Sequence, residues 1–213
     1  MAVIVNENDI RIEKLQLGPW GTNAYIVVCQ KTRYSLVVDA PADPDRIIDG
    51  LKGTNPRYIL LTHDHQDHVG ALAALRSRLN VPLAAHAADS GQLASPPEIR
   101  VRDGASITLG NLKLGVLHTP GHTPGSLCFL TGRHLLSGDT IFPGGPGKSW
   151  SPGAFKEIID SIARKIFTLP EDTIIYPGHG DTTVLKKEKE EYAVFASRPH
   201  DPDLCGDVLW LTS

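Results

Sequence analysis

The sequence predicts an α/β fold, a four-layer αββα sandwich in which two β-sheets pack face to face and helices cover their outer sides. Three observations predict it. Short apolar runs that read as strands come in groups, with helical stretches between and after them and no sustained β-α-β alternation. The 20 Gly and 16 Pro punctuate the 213 residues with tight turns, while 41% hydrophobic residues supply a sizeable core. The chain also echoes itself: ILLTHDHQDH and IIYPGHGDTT are both strand-to-histidine loops, and LVVDA and LLSGD both end a strand on aspartate. Two similar halves facing each other bring all four loops to one edge. No linker or charge block divides the sequence, so residues 1–213 read as a single domain.

Residues 10–17, 24–29 and 35–38 are apolar runs separated by Gly18-Pro19 and by the polar stretch 30–34, which predicts three strands. Asp43-Pro44 supplies an N-cap and an N1 proline for a helix through Ile47, Ile48 and Leu51, ended by Gly53. Residues 58–61 form a short buried strand that runs directly into THDHQDHVG, with a helix beginning at about Val69. Leu72, Leu75 and Leu79 give helical spacing over 71–79. A strand at 81–85, a small helix near 87–93 and four strands at 106–109, 112–117, 126–130 and 134–136 follow. Residues 143–147 read as a Gly/Pro loop, and Ser151 caps a helix from about Pro152 to Phe167. Residues 173–176 form a strand ending in PGHG, and 184–195 a late helix whose KKEKEEY run is its solvated face.

Charge and cysteine usage exclude several classes. Against 21 Lys+Arg stand 24 Asp+Glu, a net charge of −3, which is not the basic footprint of a duplex nucleic-acid binder. Cys29, Cys128 and Cys205 form no C-x-x-C pair and no even framework, so a reducing compartment is expected. The start, MAVIVNENDI, has no basic n-region, and no apolar run approaches the roughly 18 residues that span a bilayer. The expectation is a soluble, cytoplasmic protein with a small-molecule substrate and no nucleic-acid or membrane partner; its oligomeric state stays open.

Five of the nine histidines sit in compact clusters beside aspartate or glycine. In His63-Asp64-His65-Gln66-Asp67-His68, the pattern H-x-H-x-D-H arises by chance in on the order of one such chain in a thousand. Just after a strand, His63 and His65 project the same way, because side chains alternate with period two. Asp67 and His68 lie past the bend and face a second point. One loop therefore offers two imidazoles to one metal and an imidazole plus a carboxylate to another. The set holds no thiolate and suits Zn, Fe or Mn. The missing ligands are expected from other strand-end loops: His122 in HTPGHTPG, Asp139 in LLSGDT and His179 in YPGHGD.

His86, His118, His134 and His200 stand singly and read as structural or surface histidines. Cys128, in a strand, reads as a small core residue. Lys148 and the backbone N–H groups of 144–147 are a candidate cradle for a carboxylate or polar tail. Phe142 and Trp150 read equally as a substrate wall or as packing.

These residues resemble the metallo-β-lactamase superfamily of metallohydrolases, with all five of its motifs in order between Asp39 and about Tyr192. The resemblance implies that His63, His65 and His122 hold one metal, that Asp67, His68 and His179 hold a second, and that Asp139 bridges both. It makes Asp39 the carboxylate that orients a ligand histidine from behind. The implied cofactor is two Zn(2+) per chain, with Fe or Mn as alternatives.

Within the superfamily, SGDTIF, GGPGK and PGHGDTT look most like the glyoxalase II (hydroxyacylglutathione hydrolase) branch and its short relatives. That implies cleavage of a thioester or similar small ester by a metal-bound hydroxide, with Asp67 and Asp139 as catalytic carboxylates. Lys148 matches a substrate-contacting lysine of that branch. Trp150 and Asp181 stand where the branch has tyrosines, and the chain ends where its helical C-terminal domain would follow, so the thiol carrier stays open. Persulfide dioxygenases resemble the same branch and would hold a single iron at His63, His122 and Asp139. Lactonase and phosphodiesterase chemistry fit the same scaffold. The intact ligand set argues against a non-enzymatic binding or redox module.

Overall fold

Side-chain parity along the central strands assigns each strand two packing partners. The computed structural model describes residues 1–91 and 93–213. Its first seven strands are β1 (Ala2–Asn6), β2 (Ile10–Leu17), β3 (Thr22–Cys29), β4 (Tyr34–Val38), β5 (Asn55–Leu60), β6 (Leu83–His86) and β7 (Ile99–Val101), and they lie in one sheet in sequence order. Then come β8 (Ser106–Leu109), β9 (Leu112–His118), β10 (Leu127–Thr131), β11 (His134–Gly138), a small hairpin of β12 (Ile141–Phe142) and β13 (Gly145–Pro146), β14 (Ile174–Pro177) and β15 (Thr183–Val184). Apart from the hairpin, these form a second sheet ordered β15-β14-β11-β10-β9-β8. The helices are α1 (Pro44–Gly50), α2 (Gln66–Val69), α3 (Leu72–Leu79), α4 (Pro152–Ser161) and α5 (Leu185–Ala196).

All eight residues of β3 are buried. Tyr25, Val27 and Cys29 point into the core between the sheets, where they meet Leu36 and Val38 of β4 and Leu127 and Phe129 of β10. Ala24, Ile26 and Val28 point the other way, into a core closed by Ile47 of α1 and by Leu72 and Leu75 of α3. The second sheet splits likewise: Cys128, Leu135 and Ile175 face Ile158 of α4 and Phe195 of α5. The result is helix, sheet, sheet, helix, the four layers that the sequence predicts.

The connections differ from the expectation in one respect. β1 to β4 form an antiparallel meander, but β4, β5, β6 and β7 run parallel. Two β-α-β units therefore do exist, with α1 and α3 in the crossovers; at seven and eight residues these helices are too short to show as an alternating pattern. The internal echo, by contrast, is a repeat of topology. β3–β4 is antiparallel and β4–β5 parallel; β10–β11 is antiparallel and β11–β14 parallel. Asp39 and Asp139 follow β4 and β11, while His63 and His179 follow close after β5 and β14.

Several local expectations are corrected. β1, β7 and β15 pair as strands without an alternating signal of their own. The described residues near 87–93 form turns rather than a helix, and Gln92 lies outside the described residues. Asp89 of that stretch is buried and accepts hydrogen bonds from Thr123 Oγ1 (2.5 Å) and Gly125 N (2.7 Å), so its carboxylate organises the HTPGHTPG loop instead. Asp43 occupies the N-cap position of α1 in a left-handed conformation (φ 49°) and its side chain does not cap. α2 begins at Gln66, three residues before Val69, so Asp67 and His68 lie inside a helical turn. Ser151 caps α4 as expected, accepting from Ala154 N at 3.1 Å, and the helix continues through a π-helical turn, Ile162–Ile166.

Glu188, inside KKEKEEY, is fully buried rather than solvated. It accepts hydrogen bonds from Thr183 Oγ1 (2.6 Å), Gly144 N (2.8 Å) and Trp210 Nε1 (3.2 Å), which compensate the cost of burying a carboxylate. One side chain thus ties α5 to the 143–147 stretch and to the segment after α5. The three cysteines are free thiols, Cys29 and Cys128 buried and Cys205 exposed. No helix among the described residues is long and apolar enough to cross a membrane.

Candidate metal centre

The seven histidines and aspartates expected to act as ligands converge at one end of the two sheets. β5 delivers the chain into Thr62 and His63, and α2 carries Asp67 and His68. His122 comes from the loop before β10, Asp139 from the turn after β11 and His179 from the turn after β14.

Their ligand atoms fall into two groups. His63 Nε2 lies 3.1 Å and His122 Nε2 3.0 Å from His65 Nδ1. His179 Nε2 lies 3.1 Å from Asp67 Oδ2 and 3.4 Å from His68 Nε2. Asp139 stands between the groups, with Oδ1 3.4 Å from His68 Nε2 and Oδ2 3.6 Å from both His122 Nε2 and His179 Nε2. Within each group the donor atoms lie within 4.8 Å of one another, a spacing that could hold a metal ion.

Hydrogen bonds behind the rings assign the tautomers. Asp39, just after β4 with φ 62°, takes Thr62 N on Oδ1 (2.8 Å) and both Thr62 Oγ1 (2.7 Å) and His68 Nδ1 (2.8 Å) on Oδ2. Since the Thr62 hydroxyl donates to Asp39, it accepts from His63 Nδ1 at 3.0 Å. His122 Nδ1 donates to Lys148 O at 2.8 Å. In each case Nδ1 carries a proton and Nε2 faces the centre; on His63 and His122, which favour the neutral form, that Nε2 is a bare lone pair.

The donor set fits a cation on two counts. A single proton on His65 Nδ1 can serve His63 or His122, not both, and lone pairs facing one another at about 3 Å repel unless a positive centre lies between them. Asp139 Oδ1 is also buried without a hydrogen-bond partner, a costly state for an ionised carboxylate unless a cation meets it. Imidazole and carboxylate without thiolate suit Zn, Fe or Mn.

The two groups differ in charge. Burial and the neighbouring histidines hold His63 well below the usual histidine range, and burial lowers His122, so both favour the neutral form. Burial opposes the charge on His68 too, but the Asp139 and Asp39 carboxylates outweigh it and push its pKa well up. For Asp67 burial is overcome by hydrogen bonds from His179 and Thr22, which keep it ionised. A cation entering the second group therefore displaces protons.

Asp39 holds the orientation of both groups, through Thr62 to His63 and directly to His68. Asp39→Asn is expected to weaken cation binding by roughly 10- to 100-fold, measured by competition with a chromophoric chelator; unchanged affinity would show that neither ring depends on it.

Spacing did not reveal the supports on β3. Thr22 Oγ1 donates to Asp67 Oδ2 at 3.0 Å. Asn23, fully buried, donates through Nδ2 to Pro177 O (2.9 Å) and Gly180 O (3.1 Å), and its N–H reaches Gly178 O at 2.7 Å. These contacts pin the PGHG turn to the opposite sheet. They involve partners more than 150 residues apart, and no motif in the sequence marks them.

The 144–147 cradle is corrected. Gly144 N donates to Glu188 and Gly147 N to Thr140 O, and Pro146 has no N–H, so the stretch does not present a row of free donors. The Lys148 ammonium pairs with Asp207 Oδ2 at 3.0 Å. Phe142 lies 6.4 Å, ring to ring, from His179, and Trp150 is exposed. His86 and His118 stack on each other, His134 bonds Tyr176 Oη, and His200 stacks on Phe195, and none of the four belongs to a donor group among the described residues that could hold a metal ion.

Comparison with known proteins places this geometry. A family model described as "Metallo-beta-lactamase superfamily" matches residues 17–179. A hydroxyacylglutathione hydrolase from Polaromonas sp. (strain JS666 / ATCC BAA-500) is 32% identical over 203 residues, covering 86% of this chain and 76% of that protein. A crystal structure of TTHA1623 in a di-iron-bound form superposes with a TM-score of 0.73 at 32% identity, covering 83% of this chain and 96% of the other. ETHE1 from Myxococcus xanthus gives a TM-score of 0.75 at 30% identity, with 84% and 81% covered.

Proposed function

The chain belongs to the metallo-beta-lactamase superfamily of metal-dependent hydrolases, and from that premise we propose that it cleaves a thioester or similar small ester at a dinuclear site. The single observation that carries this reading is the Asp139 carboxylate, with one oxygen within 3.4 Å of His68 and the other 3.6 Å from His122, between two ready-made donor groups. The di-iron form of a 32% identical protein supports double occupancy.

In this reading His63, His65 and His122 would hold one cation and Asp67, His68 and His179 the other, with Asp139 available to both; Zn(2+) is the first choice and Fe or Mn the alternatives. Paired divalent cations supply Lewis acidity for a carbonyl oxygen and a water whose pKa falls to roughly 7. Asp67, kept ionised by hydrogen bonds from His179 and Thr22, would orient an attacking water in the cleft and accept its proton. A thiolate leaves with little protonation, so the second proton transfer makes small demands on Asp67. Asp39 acts through His63 and His68 as a positioning residue. Net charge of −3 and an open cleft at the centre favour a small-molecule substrate over nucleic acid, and three free thiols fit the reducing cytoplasm. Residues 1–213 form one catalytic domain.

A panel of thioesters, lactones, phosphodiesters and persulfides, run with metal content measured on the same preparation, tests the proposal. Thioester turnover that chelation abolishes and Zn(2+) restores is the expected result. Oxygen consumption with a persulfide and one iron per chain would replace it by dioxygenation; turnover untouched by exhaustive chelation would overturn both.

A further inference from the structure

The segment after α5 folds back over the mouth of the metal centre and is fixed there by backbone contacts. Ser149 and Gly206 exchange N–H···O bonds of 3.1 and 2.9 Å. Trp210, fully buried, donates its N–H to Gly144 O (2.8 Å) and its indole Nε1 to Glu188 (3.2 Å). Asp207, between these anchors, is thereby held in place, and its Oδ2 meets the Lys148 ammonium at 3.0 Å.

The cleft has two lobes. One runs beneath Phe142 and Leu209; the other, of about 760 Å³, opens between Trp20 and Trp150. Both lobes are lined by His122, Asp139 and His179, and both are lined by Lys148 and Asp207. The ion pair therefore borders both lobes beside the candidate metal ligands. At 42% and 77% side-chain exposure it adds little to stability. Its consequence is local: an unpaired lysine beside the metals would draw in a carboxylate, whereas this one is already neutralised by the chain's own acid. Trp20 and Trp150, 69% and 66% exposed, offer apolar faces on either side, and Lys148 Nζ lies 5.1 Å from the Trp150 ring centroid.

We propose that Asp207 is a specificity-determining residue: by cancelling the charge of Lys148 at the cleft mouth it selects esters whose leaving group is neutral and apolar, seated against Trp20 and Trp150, over leaving groups that end in a carboxylate. The inference rests on the thioester reading above and names the substrate class of that site.

The test uses the metal-loaded protein and two thioesters with the same acyl group, one on N-acetylcysteamine (neutral) and one on 3-mercaptopropionate (anionic). The wild type is expected to favour the neutral thioester. Asp207→Asn raises the anionic-to-neutral ratio of kcat/KM by about fivefold at low salt, and the gain collapses in 1 M salt, where the screening length is about 3 Å. Lys148→Met, which leaves Asp207 unpaired, moves the ratio the opposite way. A ratio that both variants leave unchanged, or a change insensitive to salt, overturns the inference. If neither thioester is turned over, the thioester reading itself fails, and the charge selection is decided by the affinities of the two free thiols for wild type and Asp207→Asn, followed by tryptophan fluorescence. Equal shifts for both thiols would then refute it.

Discussion

Asp139→Ala is expected to reduce ester turnover by on the order of a thousandfold or more and to leave the protein short of metal. The side chain reaches nitrogen atoms of both donor groups, so in the proposed dinuclear reading its loss would take a ligand from each group and the carboxylate they would share. Fold should survive, because Asp139 donates nothing to the three apolar cores. Metal stoichiometry and kcat/KM measured on one preparation check this, with far-UV circular dichroism as the control. A variant with full metal and full turnover would refute the shared-carboxylate assignment.

Gly178→Ala is expected to be damaging too, although glycine ligates nothing. A Cβ there would stand 2.1 Å from Asp139 Oδ1 and 2.7 Å from His68 Cε1, well inside contact distance. The backbone cannot retreat, because Gly178 N donates to Gly138 O at 2.9 Å and Gly178 O accepts from Asn23 N at 2.7 Å. The Asp139 carboxylate must move instead, and misplacing a reacting group by about 1 Å costs on the order of a hundredfold in rate. Gly153→Ala is the matched control: its Cβ meets nothing closer than Ser151 Oγ at 3.8 Å, and alanine suits the interior of α4. Wild-type metal content and turnover in Gly178→Ala would show that the turn yields where the geometry says it does not.

The legible and illegible parts of the molecule separate by the range of the interactions involved. Strands such as Ile10–Leu17 and Ser106–Leu109 announce themselves because apolar periodicity is local. β1, β7 and β15 exist because a neighbouring strand presents free backbone groups, and their own few residues carry no period. The same distinction explains Glu188. A charged run on a helix reads as solvated from the sequence, and only the arrival of Thr183, Gly144 and Trp210 makes burial of one carboxylate affordable. Asp89 reads as part of a small helix until the HTPGHTPG loop, more than 30 residues on, supplies two donors for it.

The site divides in the same way. The H-x-H-x-D-H loop, with an aspartate or histidine at the end of each of several strands, pointed to candidate ligand types and the metals they suit, because coordination chemistry is written in side-chain identity. Which ring nitrogen faces the cation is set by Thr62, Asp39 and the Lys148 carbonyl, groups brought in from other loops. The support of the PGHG turn by Thr22 and Asn23, the intolerance of Gly178 to a methyl group and the neutralisation of Lys148 by Asp207 depend on contacts between residues 39 to 157 positions apart. By itself the sequence determined a sandwich of two sheets and a histidine–aspartate metal chemistry. The packing of one half of the chain against the other decided how that chemistry is oriented and what charge guards its entrance, since hydrogen bonds and ion pairs form only between groups that folding has brought within about 3 Å.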